Sequence, residues 1–502
     1  MNENLYALLA RAFPTDPDAP CLILPDGRRV SYGELESQSA RYAGLLVAAG
    51  IKPGDRVAAQ VEKSPEALYL YLGCLRAGGV FLPLNPAYQR GEVEYFLGDA
   101  RPGLFVCRPE KLEEAQELAW AARVPLVHDL GERGEGSLAA KAAEMPEIFA
   151  TAESAGSDLA AILYTSGTTG RSKGAMLTHR NLAANALVLH QYWGFRPGDV
   201  LLHMLPIFHV HGLFVATHCA LLNGSPMLFE PKFDPQRALQ LMRDATVFMG
   251  VPTYYARLLQ EKGLTREAVA HMRLFISGSA PLLPETFDEF RARTGQVLLE
   301  RYGMTEGGMF TSNPPEAERR VGTVGFPLPG TEVRVVGEGD APLPAGEIGH
   351  IQVRGDNVFV GYWQMPEKTR EEFTPDGFFR TGDMGRFDAD GYLAIIGRDK
   401  DLIITGGLNV YPKEIEEAID ALPGVAESAV IGLPHLDFGE AVTAVVVRGR
   451  EGAGLSAEGI IAALKGQIAG FKVPKAVHFA DDLPRNAMGK VQKNLLRQRF
   501  AR

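Results

Sequence analysis

The stretch ILYTSGTTGRSKGAMLTH, residues 162–179, holds five hydroxyl side chains (Thr165, Ser166, Thr168, Thr169, Ser172), three glycines (Gly167, Gly170, Gly174) and two cations (Arg171, Lys173) between short apolar runs. Glycine lets backbone turn tightly and approach a ligand closely, and hydroxyls add donors. Successive backbone N–H groups beside cations make a nest for phosphate. The spacing is not that of a Walker A loop, because Lys173 lies between Ser172 and Gly174 where GxxxxGK[ST] needs glycine before and Ser or Thr after. No GxGxxG motif points to a dinucleotide fold either.

Such a loop needs a rigid scaffold. AILYT and AMLT flank it as short strands, and Thr178 or His179 opens a helix through NLAANALVL. Upstream, SYGELESQSARYAGLLVAAG reads as a helix with Ser31 as N-cap and Gly50 beyond its end. DRVAAQV, EALYLYLGCLRAG and VFLPL then alternate strand, helix, strand, which predicts βαβ units in layered α/β architecture. A second such run starts near residue 180 and includes PQRALQLMRDA as helix and TVFMGV as strand. Around residues 320–396 short strands split by glycines predict a β-rich subdomain, as in GTVGFPLPGTEVRVVG and EIGHIQVRG. After GRDKD comes a unit of about a hundred residues that mixes helices and strands. The expected fold is therefore α/β: a large N-terminal domain, residues 1–398, and a small α+β C-terminal domain, residues 399–502.

With 502 residues, more than one core is expected. A net charge of -10 argues against a nucleic-acid or acidic-membrane partner. Cys21, Cys74, Cys107 and Cys219 show no CxxC spacing and read as reduced, buried thiols. The N-terminus does not read as a secretion signal and no run approaches a membrane span, so a cytoplasmic location is expected.

TSGTTGRSKG at 165–174 resembles the phosphate-binding signature of the adenylate-forming superfamily of acyl-CoA synthetases, peptide-synthetase adenylation domains and luciferases. The resemblance continues in order through GSAPL (278–282), RYGMTE (301–306), TGD (381–383), GRDKD (397–401) and PRNAMGK (484–490). It implies two steps: a carboxylate attacks the α-phosphate of MgATP to give an acyl-adenylate and pyrophosphate, and the thiol of coenzyme A then displaces AMP. Thr165, Ser166, Gly167, Thr168, Thr169, Gly170 and Lys173 would hold phosphate. Glu306 would engage Mg²⁺, which takes hard oxygen ligands, and Thr305 would contact the α-phosphate or acyl oxygen. Backbone of Gly278, Ser279 and Ala280 would lie near adenine, with Tyr302 stacked on it beside Gly303. Asp383 and Arg398 would hold the ribose.

The same resemblance makes Lys490 the mobile catalytic lysine, a compact cation suited to bridging the carboxylate and the α-phosphate. Acetylation there by an acetyltransferase, reversed by a deacetylase, would remove that charge. Lys400 matches the hinge position, and Gly406 and Gly407 would let backbone pass close to the pantetheine arm.

Motifs name the reaction rather than the acid. In PIFHVHGLF, His209 matches a gate position near the acyl site, and a metal pair with His211 lacks a third ligand. In GVPTYYARLLQ, Arg257 follows Thr253 and Tyr254 by about a helical turn and is the expected anchor for a second substrate carboxylate. The wording of VPTYYARLLQ, LERYGMTE, VFVGYWQMPEKT and DLIITGGLNVYPKEIE is similar to malonyl-CoA synthetases, which implies a small dicarboxylic acid, malonate first. Gly307 and Gly308 depart from that pattern and are expected to widen the pocket toward methylmalonate. The competing expectation is a medium-chain or aryl acyl-CoA synthetase.

Overall fold

The computed structural model describes residues 2–165, 172–405, 408–435, 438–450, 452–465, 467–468, 470–486 and 489–501. The chain divides into a large unit, Met1–Val321 with Gly325–Glu332 and Val353–Phe379, and a smaller unit, Gly322–Val324 with Val333–Gln352 and Arg380–Arg502. Residues 380–398 thus pack with the C-terminal part of the chain. No helix among the described residues is long and apolar enough to cross a membrane.

The large unit contains two sheets whose parallel cores follow from the strand–helix alternation in the sequence. In the six-stranded sheet, Leu126–Asp129, Leu104–Cys107, Arg56–Gln60, Val80–Pro83 and Leu159–Thr165 run parallel, and Lys173–Thr178 closes one edge antiparallel to Leu159–Thr165. The nine-stranded sheet has Leu299–Met304, Leu274–Ser277, Val247–Gly250, Leu201–His203 and Met227–Phe229 as consecutive parallel strands. Their central strands are largely buried, as Leu274–Ser277 shows with all four residues buried.

Local signals set the helices. Tyr32–Ala48 is capped by Ser31, whose Oγ accepts the Glu34 N–H at 3.1 Å. Pro65–Arg76 has Ser64 as N-cap and Pro65 in its first turn, and nearly every residue of it is buried. His179–Tyr192 opens on a reciprocal pair in which Thr178 Oγ1 accepts the Asn181 N–H at 3.1 Å and Asn181 Oδ1 accepts the Thr178 N–H at 2.9 Å. Behind the nine-stranded sheet, Phe248, Tyr255, Phe275, Phe287 and Phe290 form the centre of a buried cluster.

In the smaller unit, a sheet of Leu408–Val410, Ile403–Thr405, Gly439–Arg448 and Val425–His435, with Ala476–Ala480 alongside Gly439–Arg448, carries the helices Pro412–Asp420, Ala457–Leu464 and Lys493–Phe500. Ile403, Ile415, Ile419, Val430, Val442 and Leu464 form its core. The four-stranded run Thr331–Val336, Gly349–Gly355, Phe379–Phe387 and Leu393–Arg398 is the β-rich segment expected from its glycine-split strands.

Candidate active site

The parallel strands of the nine-stranded sheet end on one side in Gly278–Ala280, Thr305–Glu306 and the segment carrying His209 and His211. The C-terminal end of a parallel sheet is where α/β folds place ligands. Gly278 closes directly on Arg301: a Cβ there would lie 2.4 Å from the guanidinium carbon. Only glycine fits.

Arg301 is 3 % exposed, and its Nε and Nη2 have no hydrogen-bond partner among the described residues. Burial lowers its pKa to about 9, against the opposing pull of Tyr255 and Glu300. Leaving two nitrogens of a buried guanidinium unsatisfied is costly unless an acceptor meets them. Beside it, His211 is fully buried, its Nδ1 3.2 Å from Ser279 Oγ and its Nε2 without a partner among the described residues. Burial first, then the Arg301 charge, pushes the His211 pKa well below the ordinary value and that of His209 to about 4, so both rings are neutral near pH 7. His209 Nδ1 accepts the His211 N–H at 3.2 Å. Ser279 is in the left-handed region, φ 73°, a strained backbone that aims its hydroxyl at His211.

Arg257, by contrast, is exposed in the last turn of the helix Pro252–Leu258. The helix buries Tyr255 and Leu258, and Thr253 and Tyr254, which Arg257 follows by about a turn, are half-buried. The expectation that Gly307 and Gly308 add room is corrected. A Cβ on Gly307 would lie 2.3 Å from the Phe310 ring, and one on Gly308 would lie 2.3 Å from Asn185 Oδ1. The cavity that these glycines line with Val210, Phe214 and Asn357 holds about 10 Å³, roughly one water. The glycines permit close packing of protein on protein.

A second cluster joins Lys173 to Glu306. Lys173 is 8 % exposed, with Nζ 3.4 Å from Glu372 Oε1 and 4.2 Å above the Tyr362 ring. The Tyr362 hydroxyl donates to Glu306 Oε1 at 3.0 Å, and the Phe359 N–H donates to the Glu306 carbonyl at 2.8 Å. The Trp363 N–H donates to the Gly174 carbonyl at 2.7 Å, which ties this segment to the strand carrying Lys173. Glu306 is one hard oxygen donor of the kind Mg²⁺ takes together with phosphate oxygens. No three His, Cys, Asp or Glu side chains among the described residues gather as a metal cage. Thr165, Thr305, Tyr302, Gly303 and Ala280 are half-buried near the strand ends. Tyr302 packs edge-on to Phe310, ring centroids 5.8 Å apart. Ser166, Gly167, Thr168, Thr169 and Gly170 lie outside the described residues, as do Gly406 and Gly407.

The smaller unit gathers the other expected residues. Asp383 and Arg398 face each other in adjacent antiparallel strands, with Arg398 Nε 2.6 Å from Asp383 Oδ1. Lys400 follows in the turn Asp399–Asp401, with its pKa lowered by desolvation, and Arg497 holds Asp401 at 2.8 Å. Lys490 sits at the base of a tight turn: its N–H donates to Asn486 Oδ1 and the Asn486 N–H to its carbonyl, each at 2.9 Å. Arg485 braces the turn through the Gly489 carbonyl at 2.7 Å. The Lys490 side chain keeps solvent-accessible surface, but protein crowds its ammonium; desolvation and then the charges of Arg398 and Lys400 push its pKa down to about 8, against Asp383 and Asp401.

Arg301, Tyr362 and Glu372 were not singled out by the sequence. The signal for the first was present, since Glu300 and Arg301 interrupt an apolar central strand where two adjacent charges are otherwise unaffordable.

Residues 9–363 match the family of AMP-binding enzymes, and residues 414–490 match the AMP-binding enzyme C-terminal domain. The crystal structure of ATP-bound MatB from Rhodopseudomonas palustris superposes with a TM-score of 0.97 at 56% identity, covering 100% of this chain and 99% of that one. The mitochondrial malonate–CoA ligase ACSF3 of Mus musculus is 40% identical over 84% of this chain and 78% of its own length. A feruloyl-CoA synthase of an Amycolatopsis species is 35% identical over 99% of each. With both matched regions in order along the sequence, the chain belongs to the AMP-binding enzyme family.

Proposed function

We propose that this protein is an AMP-forming acid–CoA ligase that converts malonate to malonyl-CoA. The observation that carries the substrate is the buried guanidinium of Arg301, whose Nε and Nη2 meet no hydrogen-bond partner among the described residues, beside neutral His209 and His211. A fatty-acyl or aryl tail offers it nothing, whereas a second carboxylate meets it with two charge-assisted hydrogen bonds. Arg301, rather than the exposed Arg257, anchors the distal carboxylate. The malonate ligases among the relatives support this reading.

ATP and coenzyme A are the co-substrates. Thr165, Lys173 and the hydroxyl-rich residues 166–170 take the phosphates, Thr305 the acyl or α-phosphate oxygen, and Asp383 with Arg398 the ribose. The Gly278–Ala280 backbone, Tyr302 and Gly303 take the adenine. Glu306 takes Mg²⁺, which screens the approach of one anion to another. Lys490 bridges the attacking carboxylate and the α-phosphate as charge moves to pyrophosphate. Lys400 is the hinge between domains bounded at 398/399, and Gly406 and Gly407 flank the pantetheine. Acetylation of Lys490 switches adenylation off, and the protein works in the cytoplasm.

The test is ATP-dependent thioester formation by the purified protein across malonate, methylmalonate, octanoate, benzoate and ferulate. Malonate is expected to have the highest kcat/KM. Faster turnover of octanoate or an aryl acid removes the dicarboxylate assignment.

A further inference from the structure

A buried lysine outside the residues discussed so far is tied to the acyl-site histidines. Lys63 precedes Ser64, the N-cap of the helix Pro65–Arg76, and follows the strand Arg56–Gln60 of the six-stranded sheet. It is 9 % exposed, and its Nζ lies 2.8 Å from His203 Nδ1, donates to the His203 carbonyl at 2.9 Å and stands 4.3 Å above the Phe229 ring. His203 ends a strand of the other sheet. Its Nε2 lies 3.0 Å from the Gly212 carbonyl and 3.1 Å from Thr217 Oγ1.

The tautomer follows from these partners. A carbonyl oxygen only accepts, so Nε2 carries the proton and donates to Gly212. Nδ1 is then the bare acceptor, and Lys63 is its donor. Desolvation lowers the Lys63 pKa well below the ordinary value, with Glu230 opposing, yet amine and ammonium alike can donate here. Glu230 itself is engaged by Arg237 at 3.0 Å.

Gly212 and Thr217 belong to the π-helical segment His211–Thr217. Such segments recur at functional sites. The Gly212 carbonyl also accepts from Thr217 Oγ1 at 2.9 Å, and a Cβ at Gly212 would lie 2.1 Å from the Pro206 carbonyl oxygen. The turn is therefore pinned from both sides, and the residue at its start is His211, which faces Ser279.

We infer that Lys63 is a positioning residue for the acid substrate: through Nε2-protonated His203 it fixes the π-turn that sets His211, and hence the acyl site, in place. An aliphatic side chain would fill the same space without the desolvation of an amine. The inference rests on the reading that His211 and Arg301 face the acid.

The experiment measures pyrophosphate exchange of the full-length protein with separate KM values for malonate and ATP, alongside thermal melting, for Lys63→Met, His203→Leu, His203→Gln and Arg301→Met. Lys63→Met and His203→Leu are expected to raise the malonate KM about tenfold while the ATP KM stays within about twofold, a transition-state or ground-state loss of ~1.4 kcal/mol. His203→Gln keeps a terminal N–H for Gly212 and is expected to restore malonate KM to within about threefold of the parent. Unchanged malonate KM in Lys63→Met, or parallel rises for malonate and ATP, overturns the inference. So do equal effects of His203→Leu and His203→Gln. Unchanged malonate KM in Arg301→Met instead removes the anchor and leaves the Lys63 outcome to be read by itself.

Discussion

Tyr362 donates its hydroxyl hydrogen to Glu306 Oε1 at 3.0 Å while its ring carries the Lys173 ammonium 4.2 Å away. One aromatic side chain therefore orients the carboxylate proposed for Mg²⁺ and supports the cation proposed for phosphate. A hydrogen bond to a charged acceptor contributes about 1.5–3 kcal/mol. Tyr362→Phe keeps the ring and removes the donor, so pyrophosphate exchange is expected to fall roughly tenfold or more, with the loss partly recovered at high Mg²⁺. A magnesium titration of the variant checks this; exchange equal to the parent at every Mg²⁺ concentration sinks it.

The two arginines separate by burial. Arg301 is 3 % exposed and, among the described residues, unpartnered at Nε and Nη2, whereas Arg257 is exposed. Arg301→Met is expected to lower kcat/KM for malonate by about tenfold or more, ~1.4 kcal/mol or beyond, and Arg257→Leu by less than about twofold. Steady-state kinetics on both variants decide between them. A larger loss in Arg257→Leu restores the anchor suggested by helical spacing.

Lys490 has a pKa of about 8, lowered from the usual lysine value by desolvation and by Arg398 and Lys400. Its charge is what adenylation uses. The charged form is complete well below pH 8 and is lost as pH rises through 8, so the adenylation rate is expected to decline on the alkaline side with a midpoint near 8. The check is a pH profile of pyrophosphate exchange in parent and in Lys490→Arg, whose guanidinium stays protonated. A decline with the same midpoint in Lys490→Arg assigns the titration to another group.

Removing the charge altogether separates the half-reactions. Lys490→Ala is expected to slow adenylate formation on the order of 10²-fold, the scale of losing one preorganised charge partner, with a smaller effect on thioester formation from supplied malonyl-adenylate. Single-turnover assays of each half-reaction read this directly. Equal losses in both would remove Lys490 from its assigned step.

Much of this was legible in the chain because the relevant signals are local. Ser31, Ser64 and Thr178 cap the helices that follow them, and the apolar runs around residues 57, 81, 105 and 162 are buried strands of one sheet. The motifs place Lys173, Glu306, Asp383 and Lys490 in order along the sequence. What local signals do not contain is the distant partner. Nothing near Glu306 announces Tyr362, 56 residues away, and nothing near Lys63 announces His203, 140 residues away. Helical spacing groups Arg257 with Thr253 and Tyr254, whereas the residues of that helix that are buried are Tyr255 and Leu258. Nor does spacing reveal the π-helical segment at His211–Thr217, whose Gly212 carbonyl meets His203 Nε2.

Gly307 and Gly308 give the last prediction, because the room that they were expected to supply is occupied by protein. Gly308 has φ 64°, and the space beside it belongs to Asn185, whose Oδ1 accepts the Met309 N–H at 3.1 Å and whose Nδ2 donates to the Met309 carbonyl at 2.9 Å. An alanine there meets both a disfavoured backbone conformation and a side chain fixed by two hydrogen bonds, costs of about 1–3 kcal/mol. Gly307→Ala and Gly308→Ala are therefore expected to lower the thermal midpoint while leaving the ratio of methylmalonate to malonate kcat/KM within about twofold of the parent. Calorimetry and paired kinetics read the two effects separately. A changed ratio at an unchanged midpoint would mean that these glycines border the acid, and the packing argument would fail.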